Sequence, residues 1–193
     1  MTTSHHRCVL IRHGETEWSL DGRHTGRTDL PLLPEGEAQA TALRPALAGY
    51  RFTTVLTSPR LRARETCRLA GLNEGALVDT DLAEWDYGSY EGVTTSAIQS
   101  GRPGWDLFAD GAPGGEGADD VARRVDRVIK KIRGTGGDVA VFAHSHVLRV
   151  LVVRWIGLGP TAGRHFVLAP ASLSELGWER EQPAVIIWNS GRL

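Results

Sequence analysis

Two short motifs place reactive side chains at the ends of apolar runs. Arg12-His13-Gly14-Glu15 follows Cys8-Val9-Leu10-Ile11, and His144-Ser145-His146 follows Val139-Ala140-Val141-Phe142-Ala143. Two further groups stand between them in the chain. Arg62 comes shortly after Ser58-Pro59, and Glu84 lies in Leu82-Ala83-Glu84-Trp85-Asp86-Tyr87-Gly88. One of the two histidines, His13 or His144, can attack phosphorus through a neutral ring nitrogen. Arg12 and Arg62 can each present a planar donor fork to phosphate oxygens. The other histidine can donate to the charge that builds on the equatorial oxygens. A carboxyl such as Glu84 can protonate the leaving oxygen and then help a water attack. Together these residue types fit phosphoryl transfer through histidine, with no metal and no cofactor required. Singly, each has a plainer reading. Arg62 reads as a structural ion-pair member, Glu84 as a surface or ion-paired carboxylate, and His144 with His146 as a metal pair lacking an evident third ligand.

The elements that must carry these groups follow from the hydropathy pattern. Residues 8–11 and 138–143 read as strands buried on both faces, as in a parallel sheet. Thr54–Thr57 reads as a third short strand, 77–82 as an edge strand, and Phe166–Leu168 and Ala184–Trp188 as two more. Helices are expected over Glu35–Ala48 despite Pro45, from Ser58-Pro59 (N-cap and first helical residue) to about Ala70, over Glu116–Arg133 and over His146–Ile156. Residues 14–34 and 83–115 read as long loops, and loops of that length are usually functional or disordered. Alternating strands and helices predict an α/β fold: three layers, with a mainly parallel central sheet flanked by helices. In such sheets ligands bind beyond the carboxyl ends of the strands, where both histidine motifs sit. On the helix after Pro59, Arg60, Arg64 and Arg68 form one stripe, while Arg62 lies roughly 160° from its centre and is aimed inward.

Composition narrows the classes. The chain has 193 residues, 41% of them hydrophobic and 23% charged, which fits one globular domain over 1–193. The formal net charge of -1 gives no global case for nucleic acid or an anionic membrane. The two cysteines, Cys8 and Cys67, fall in apolar surroundings and read as buried free thiols. No secretory h-region follows Met1, and Arg149 and Arg154 interrupt the longest apolar stretches, so a cytoplasmic location is expected.

The motifs, in this order, resemble the histidine phosphatase superfamily, also called phosphoglycerate mutase-like. Leu10-Ile11-Arg12-His13-Gly14-Glu15-Thr16 looks like its signature, which implies that His13 is the phosphoacceptor. Thr57-Ser58-Pro59-Arg60-Leu61-Arg62-Ala63 matches its Ser-Pro-Leu-x-Arg-Ala pattern and implies phosphate binding by Arg62. Leu82-Ala83-Glu84 with Tyr87-Gly88 and Glu91-Gly92 implies that Glu84 is the proton donor, and Phe142-Ala143-His144 matches the second histidine motif. Thr25-Gly26-Arg27-Thr28-Asp29-Leu30 resembles the loop after the signature. The resemblance extends phosphate or substrate contacts to Ser19, Thr25, Gly26 and Ser145. Ser19 stands where the family often has Asn, and Ser145 where it usually has Gly. His146 and the phrase around Glu84 are most similar to a phosphatase branch that includes acid phosphatases and sedoheptulose-bisphosphatase-like enzymes. The segment between Glu84 and His144 is short beside that of cofactor-dependent mutases, which favours hydrolysis. Mutase-type phosphoryl transfer and a non-catalytic binder are the alternatives. His24, Tyr87 and His146, with Trp85 and Trp105, are expected to wall the substrate pocket. These aromatic and histidine donors suit a phosphorylated sugar or polyol, so the expected partner is a small phosphorylated substrate of the sugar-phosphate kind. Neither nucleic acid nor membrane is expected, and a homodimer is left open.

Overall fold

The apolar runs that precede the two histidine motifs become the central strands of a six-stranded sheet in the computed structural model, which describes residues 6–191. The strands are β1 (Cys8–Arg12), β2 (Phe52–Thr57), β3 (Leu77–Val78), β4 (Asp138–Ala143), β5 (Leu173–Glu179) and β6 (Gln182–Ser190). Their spatial order is β3-β2-β4-β1-β5-β6. The first four in that order pair in parallel, and β5 and β6 complete the sheet through antiparallel pairings.

Both faces of the centre are buried, which explains why these strands are apolar without alternation. Cys8, Leu10, Val139 and Val141 face one core, and Val9, Ile11, Ala140 and Phe142 face the other. Each large apolar side chain fully removed from water contributes about 1.5–3 kcal/mol. Helices cover the two faces. In chain order they are α1 (Glu17–Leu20), α2 (Pro34–Ala42), α3 (Arg44–Leu47), α4 (Leu61–Leu69), α5 (Thr95–Gly101), α6 (Leu107–Asp110), α7 (Ala118–Arg133) and α8 (Ser145–Trp155). The apolar stripe of α7, Val121, Val125, Val128, Ile129 and Ile132, packs with α8 on the first face. Cys67 and Ala70 from α4 and its end lie on the second, with Leu43 and Leu47. No described helix is long and apolar enough to cross a membrane. Both cysteines are free and buried, as expected, and desolvation pushes the Cys67 thiol up to about 12.

The structure corrects several expectations. The helix expected over 35–48 breaks at Leu43, and Pro45 sits at the start of α3, where its missing N–H costs nothing. Ser58 does not cap α4. Arg60 is the N-cap residue, and the Leu61 N–H donates instead to Asp29 at 2.8 Å. Arg60 is accordingly half-buried rather than part of an exposed stripe, while Arg64 and Arg68 are exposed. The edge strand over 77–82 is only Leu77–Val78, followed by a 3-10 turn over Thr80–Leu82. Residues 166–168 are not a strand. The strand lies at Leu173–Glu179, where Ser174, Glu175 and Gly177 obscure it. The 83–115 loop contains α5 and α6, and buries Ile98, Trp105 and Phe108.

Candidate active site

Sheet register brings the two histidine motifs together. β1 and β4 run in parallel with Arg12 opposite Ala143, so His13 and His144 leave the sheet side by side. The His13 N–H donates to the Ala143 carbonyl at 3.0 Å, and the Ala171 N–H donates to the His13 carbonyl at 3.0 Å. The two imidazole centroids are 5.1 Å apart. β2 runs beside β4 with Thr57 opposite Phe142, and the Ser58 N–H donates to the Phe142 carbonyl at 2.9 Å.

His13 is held by its neighbour. Its Nδ1 lies 2.7 Å from the Gly14 carbonyl oxygen, which can only accept. The ring hydrogen therefore sits on Nδ1, and Nε2 keeps a free lone pair. Burial first, then the charges of Arg62 and Arg12, hold the imidazole well below its ordinary pKa. The ring is thus neutral at neutral pH, the state a nucleophile needs. Gly14 must be glycine, because a β-carbon there would meet the Gly36 carbonyl oxygen at 2.3 Å. Its N–H is anchored on the Thr66 hydroxyl at 3.0 Å.

Arg12 sends one Nη1 bond to the Leu168 carbonyl, while its buried Nε has no partner among the described residues. Burial lowers its pKa to about 10, so it remains a cation at neutral pH. A buried, unpaired guanidinium donor is costly unless an anion takes it. Arg62 is fully buried, as the helical wheel predicts. Its Nη atoms donate to the Thr28 carbonyl at 3.0 Å and the Thr25 carbonyl at 2.8 Å, and its Nε to His144 Nδ1 at 3.1 Å. Since Nδ1 of His144 accepts, its ring hydrogen is on Nε2, which lies 2.7 Å from the Ser58 hydroxyl. Arg62 and His144 thus lie behind His13 with these donors engaged. Burial, ahead of Arg62 and His13, holds His144 well below its ordinary pKa.

Glu84 is placed by backbone amides at the N-terminus of α8. Its Oε1 accepts from Trp85 N–H and Val147 N–H, both at 2.9 Å, and its Oε2 from His146 N–H at 3.0 Å. Arg124 and Glu116 clamp the segment that carries it. Arg124 donates to the Glu116 carboxylate and to the Asp81 and Ala83 carbonyls, and Asp86 N–H donates to Glu116 at 2.9 Å. The N-terminal Ser145 N–H has no acceptor within its own helix.

Arg12, His13, Glu84 and Ser145 share one cavity of about 160 Å³. His24, Tyr87 and His146 line it as well, with Ser19 and Thr25. The Ser19 hydroxyl is spent locally, donating to the Thr16 carbonyl at 2.9 Å. The Gly26 N–H is taken by the Glu91 carboxylate at 3.0 Å, so Gly26 supports the loop from behind. Trp85 and Trp105 are buried behind the lining and anchor it through indole bonds to the Glu116 and Gly111 carbonyls. Gly22, Arg23 and Thr95 also line the cavity; they come from the two long loops expected to be functional, although no motif singles them out. Nor does any motif mark Ser58 as the partner of His144; the two become adjacent only once β2 and β4 are paired. Among the described residues, no cluster of three His, Cys, Asp or Glu side chains is arranged to hold a metal ion.

This sheet, with two histidines at adjacent strand ends, defines an α/β enzyme of the phosphoglycerate mutase-like fold. A solved open-reading-frame product of Mycobacterium tuberculosis superposes with a TM-score of 0.93 at 36% identity, covering 96% of this chain and 98% of that one. An acid phosphatase of Mycobacterium tuberculosis is 38% identical over 183 residues, 93% of this chain and 90% of that protein. Sedoheptulose 1,7-bisphosphatase of Saccharomyces cerevisiae is 39% identical over 188 residues, 79% of this chain and 68% of that protein. Residues 8–191 match the histidine phosphatase superfamily, branch 1. The chain belongs to this superfamily and is a phosphatase.

Proposed function

We propose that this phosphatase hydrolyses small sugar-type phosphate monoesters through a phosphohistidine on His13. The observation that carries the reading is the fixed tautomer of His13, with Nδ1 bound to Gly14 and the Nε2 lone pair left for phosphorus. The ester phosphate takes up the unpaired Arg12 Nε and the Ser145 N–H, beside a helix N-terminus that favours anions. Nε2 of His13 forms a bond to phosphorus as the ester P–O bond breaks. Glu84 in its acid form gives its proton to the leaving oxygen. A water then attacks the phosphohistidine, Glu84 takes a proton from it, and phosphate leaves with the His13 lone pair restored. Arg62 supplies buried positive charge and the neutral His144 ring supplies hydrogen-bond support beside His13. A direct phosphate contact by either requires exchange of a bond described above. The small cavity volume and its polar lining support a short polar substrate.

Turnover of p-nitrophenyl phosphate tests this reading, for the wild type and His13→Ala, each with and without EDTA. Activity that survives EDTA and is lost in His13→Ala is the expected result. Activity lost to EDTA but retained in His13→Ala would move the chemistry to a metal.

A further inference from the structure

Two imidazoles line the cavity beside His13 without a part in the chemistry above. In His24, Nδ1 lies 2.7 Å from the Val93 carbonyl oxygen, which also accepts the His24 backbone N–H at 3.0 Å. A carbonyl only accepts, so the ring hydrogen is on Nδ1 and Nε2 is a bare acceptor. In His146, Nδ1 lies 2.7 Å from the Tyr87 hydroxyl. That hydroxyl has no other acceptor among the described residues, and we assign it as the donor to Nδ1, with Glu84 Oε2 3.8 Å from the same nitrogen. The ring hydrogen of His146 is then on Nε2, which is a donor.

The surroundings keep both rings neutral. Burial above all holds His24 below and His146 well below the ordinary histidine pKa, and the Tyr87 phenol well above its own. All three are neutral near neutral pH. His24 is wedged against Tyr87, with centroids 4.7 Å apart, and edge-on to Trp105 at 5.6 Å. The His24 and His146 rings stack at 6.0 Å with planes 28° apart. Neither Nε2 has a partner among the described residues, so each is available to a ligand. One ring offers an acceptor and its stacked neighbour offers a donor.

We propose that His24 and His146 form a complementary pair that reads hydroxyl groups on the carbon chain bearing the phosphate, which selects phosphorylated polyols. This rests on the phosphatase reading above. A hydroxyl both gives and takes a hydrogen bond, so one hydroxyl, or two neighbouring ones, satisfies both rings. A carboxylate or second phosphate dianion at this place has no hydrogen for His24. An alkyl chain satisfies neither ring and leaves two polar groups unpaired, the situation in which enzymes discriminate most strongly.

Glycerol 3-phosphate and propyl phosphate share a carbon skeleton and differ in two hydroxyls, so their kcat/KM ratio reads the pair directly. The wild type is expected to favour glycerol 3-phosphate by about 100-fold or more. His24→Phe, which keeps a ring but no acceptor, and His146→Phe are each expected to reduce that ratio at least about 10-fold. Hydrolysis of p-nitrophenyl phosphate with a wild-type ratio near unity would overturn the pair and leave the phosphatase reading standing. A ratio unchanged in both variants would do the same. Failure to hydrolyse p-nitrophenyl phosphate at all would instead overturn the phosphatase reading. Long-range 15N–1H spectra of the wild-type histidine rings test the pairing without turnover. His24 is expected in the Nδ1–H form and His146 in the Nε2–H form. The same tautomer on both rings would overturn the proposal.

Discussion

Arg62 Nε donates to Nδ1 of His144 across 3.1 Å, with both side chains sealed from solvent. The bond settles the His144 tautomer, because a guanidinium can only donate, and it sends the ring hydrogen to Ser58. The same arginine is the leading charge among those that lower the His13 pKa. Arg62→Ala is therefore expected to lower kcat/KM by about 10²–10³-fold, the range for loss of one charge-stabilising donor. It is also expected to move the acid limb of the kcat/KM profile to higher pH, as His13 binds a proton more readily. A full pH profile of wild type and variant checks both. An unmoved acid limb would show that Arg62 acts only as a structural tie for the 25–28 loop.

The buried imidazoles make stability pH-dependent. His13, His144 and His146 all have folded pKa values well below the ordinary one, chiefly through burial. The unfolded chain binds protons at about 6.5 and the folded chain only lower. Their contribution to stability is therefore fully present above about pH 6.5 and is lost as pH falls toward the folded values. Urea unfolding from about pH 7.5 to about pH 5.5 should show a falling free energy, with a slope reaching about 1.4 kcal/mol per pH unit for each histidine. A flat stability over that interval would contradict neutral burial of these rings.

Gly14 faces the Gly36 backbone, and Gly36 in turn faces the backbone of Glu15, two residues after the nucleophile. A β-carbon on Gly36 would meet the Glu15 carbonyl oxygen at 2.2 Å, and that is backbone, which cannot swing away. Gly36→Ala is expected to cost roughly 1–3 kcal/mol of stability. It should also lower kcat, since the displaced 14–15 backbone carries the carbonyl that orients His13. Thermal unfolding and steady-state kinetics on one sample separate the two effects.

Glu84→Gln should distinguish leaving groups. An alkyl ester needs a proton on its leaving oxygen, and p-nitrophenolate does not. The loss for an alkyl phosphate is expected at about 10²–10⁴-fold, with a much smaller loss for p-nitrophenyl phosphate. Equal losses would remove Glu84 from the acid role. The amide also sets an NH2 against one or other of the backbone N–H donors that Glu84 now satisfies, so a modest stability loss accompanies the change.

Much of this site is legible in the order of residues alone. The continuous apolar runs ahead of His13 and His144 read as two buried strands, and the helical wheel separates Arg62 from Arg64 and Arg68. Those signals are local, and packing has no reason to override them. What stays hidden depends on contacts between distant segments. Ser58 reads as a helix cap until β2 is set beside β4. Glu91 gains its place only when residues 25–28 fold over it, through bonds to Gly26 and Thr28. The strand at Leu173–Glu179 lacks a clean alternation because Ser174 and Glu175 are buried in it. The Glu175 carboxylate accepts the Tyr50 hydroxyl at 2.5 Å, a partner far away in sequence.

A covalent phosphoryl intermediate on His13 can be trapped. Wild-type protein mixed with p-nitrophenyl phosphate, quenched in alkali where phosphohistidine survives, is digested and mapped by mass spectrometry. A phosphoryl group is expected on the peptide containing His13 and none in His13→Ala. A wild-type enzyme that turns over while carrying no label under rapid quench, or a His13→Ala protein that is still labelled and active, would contradict it.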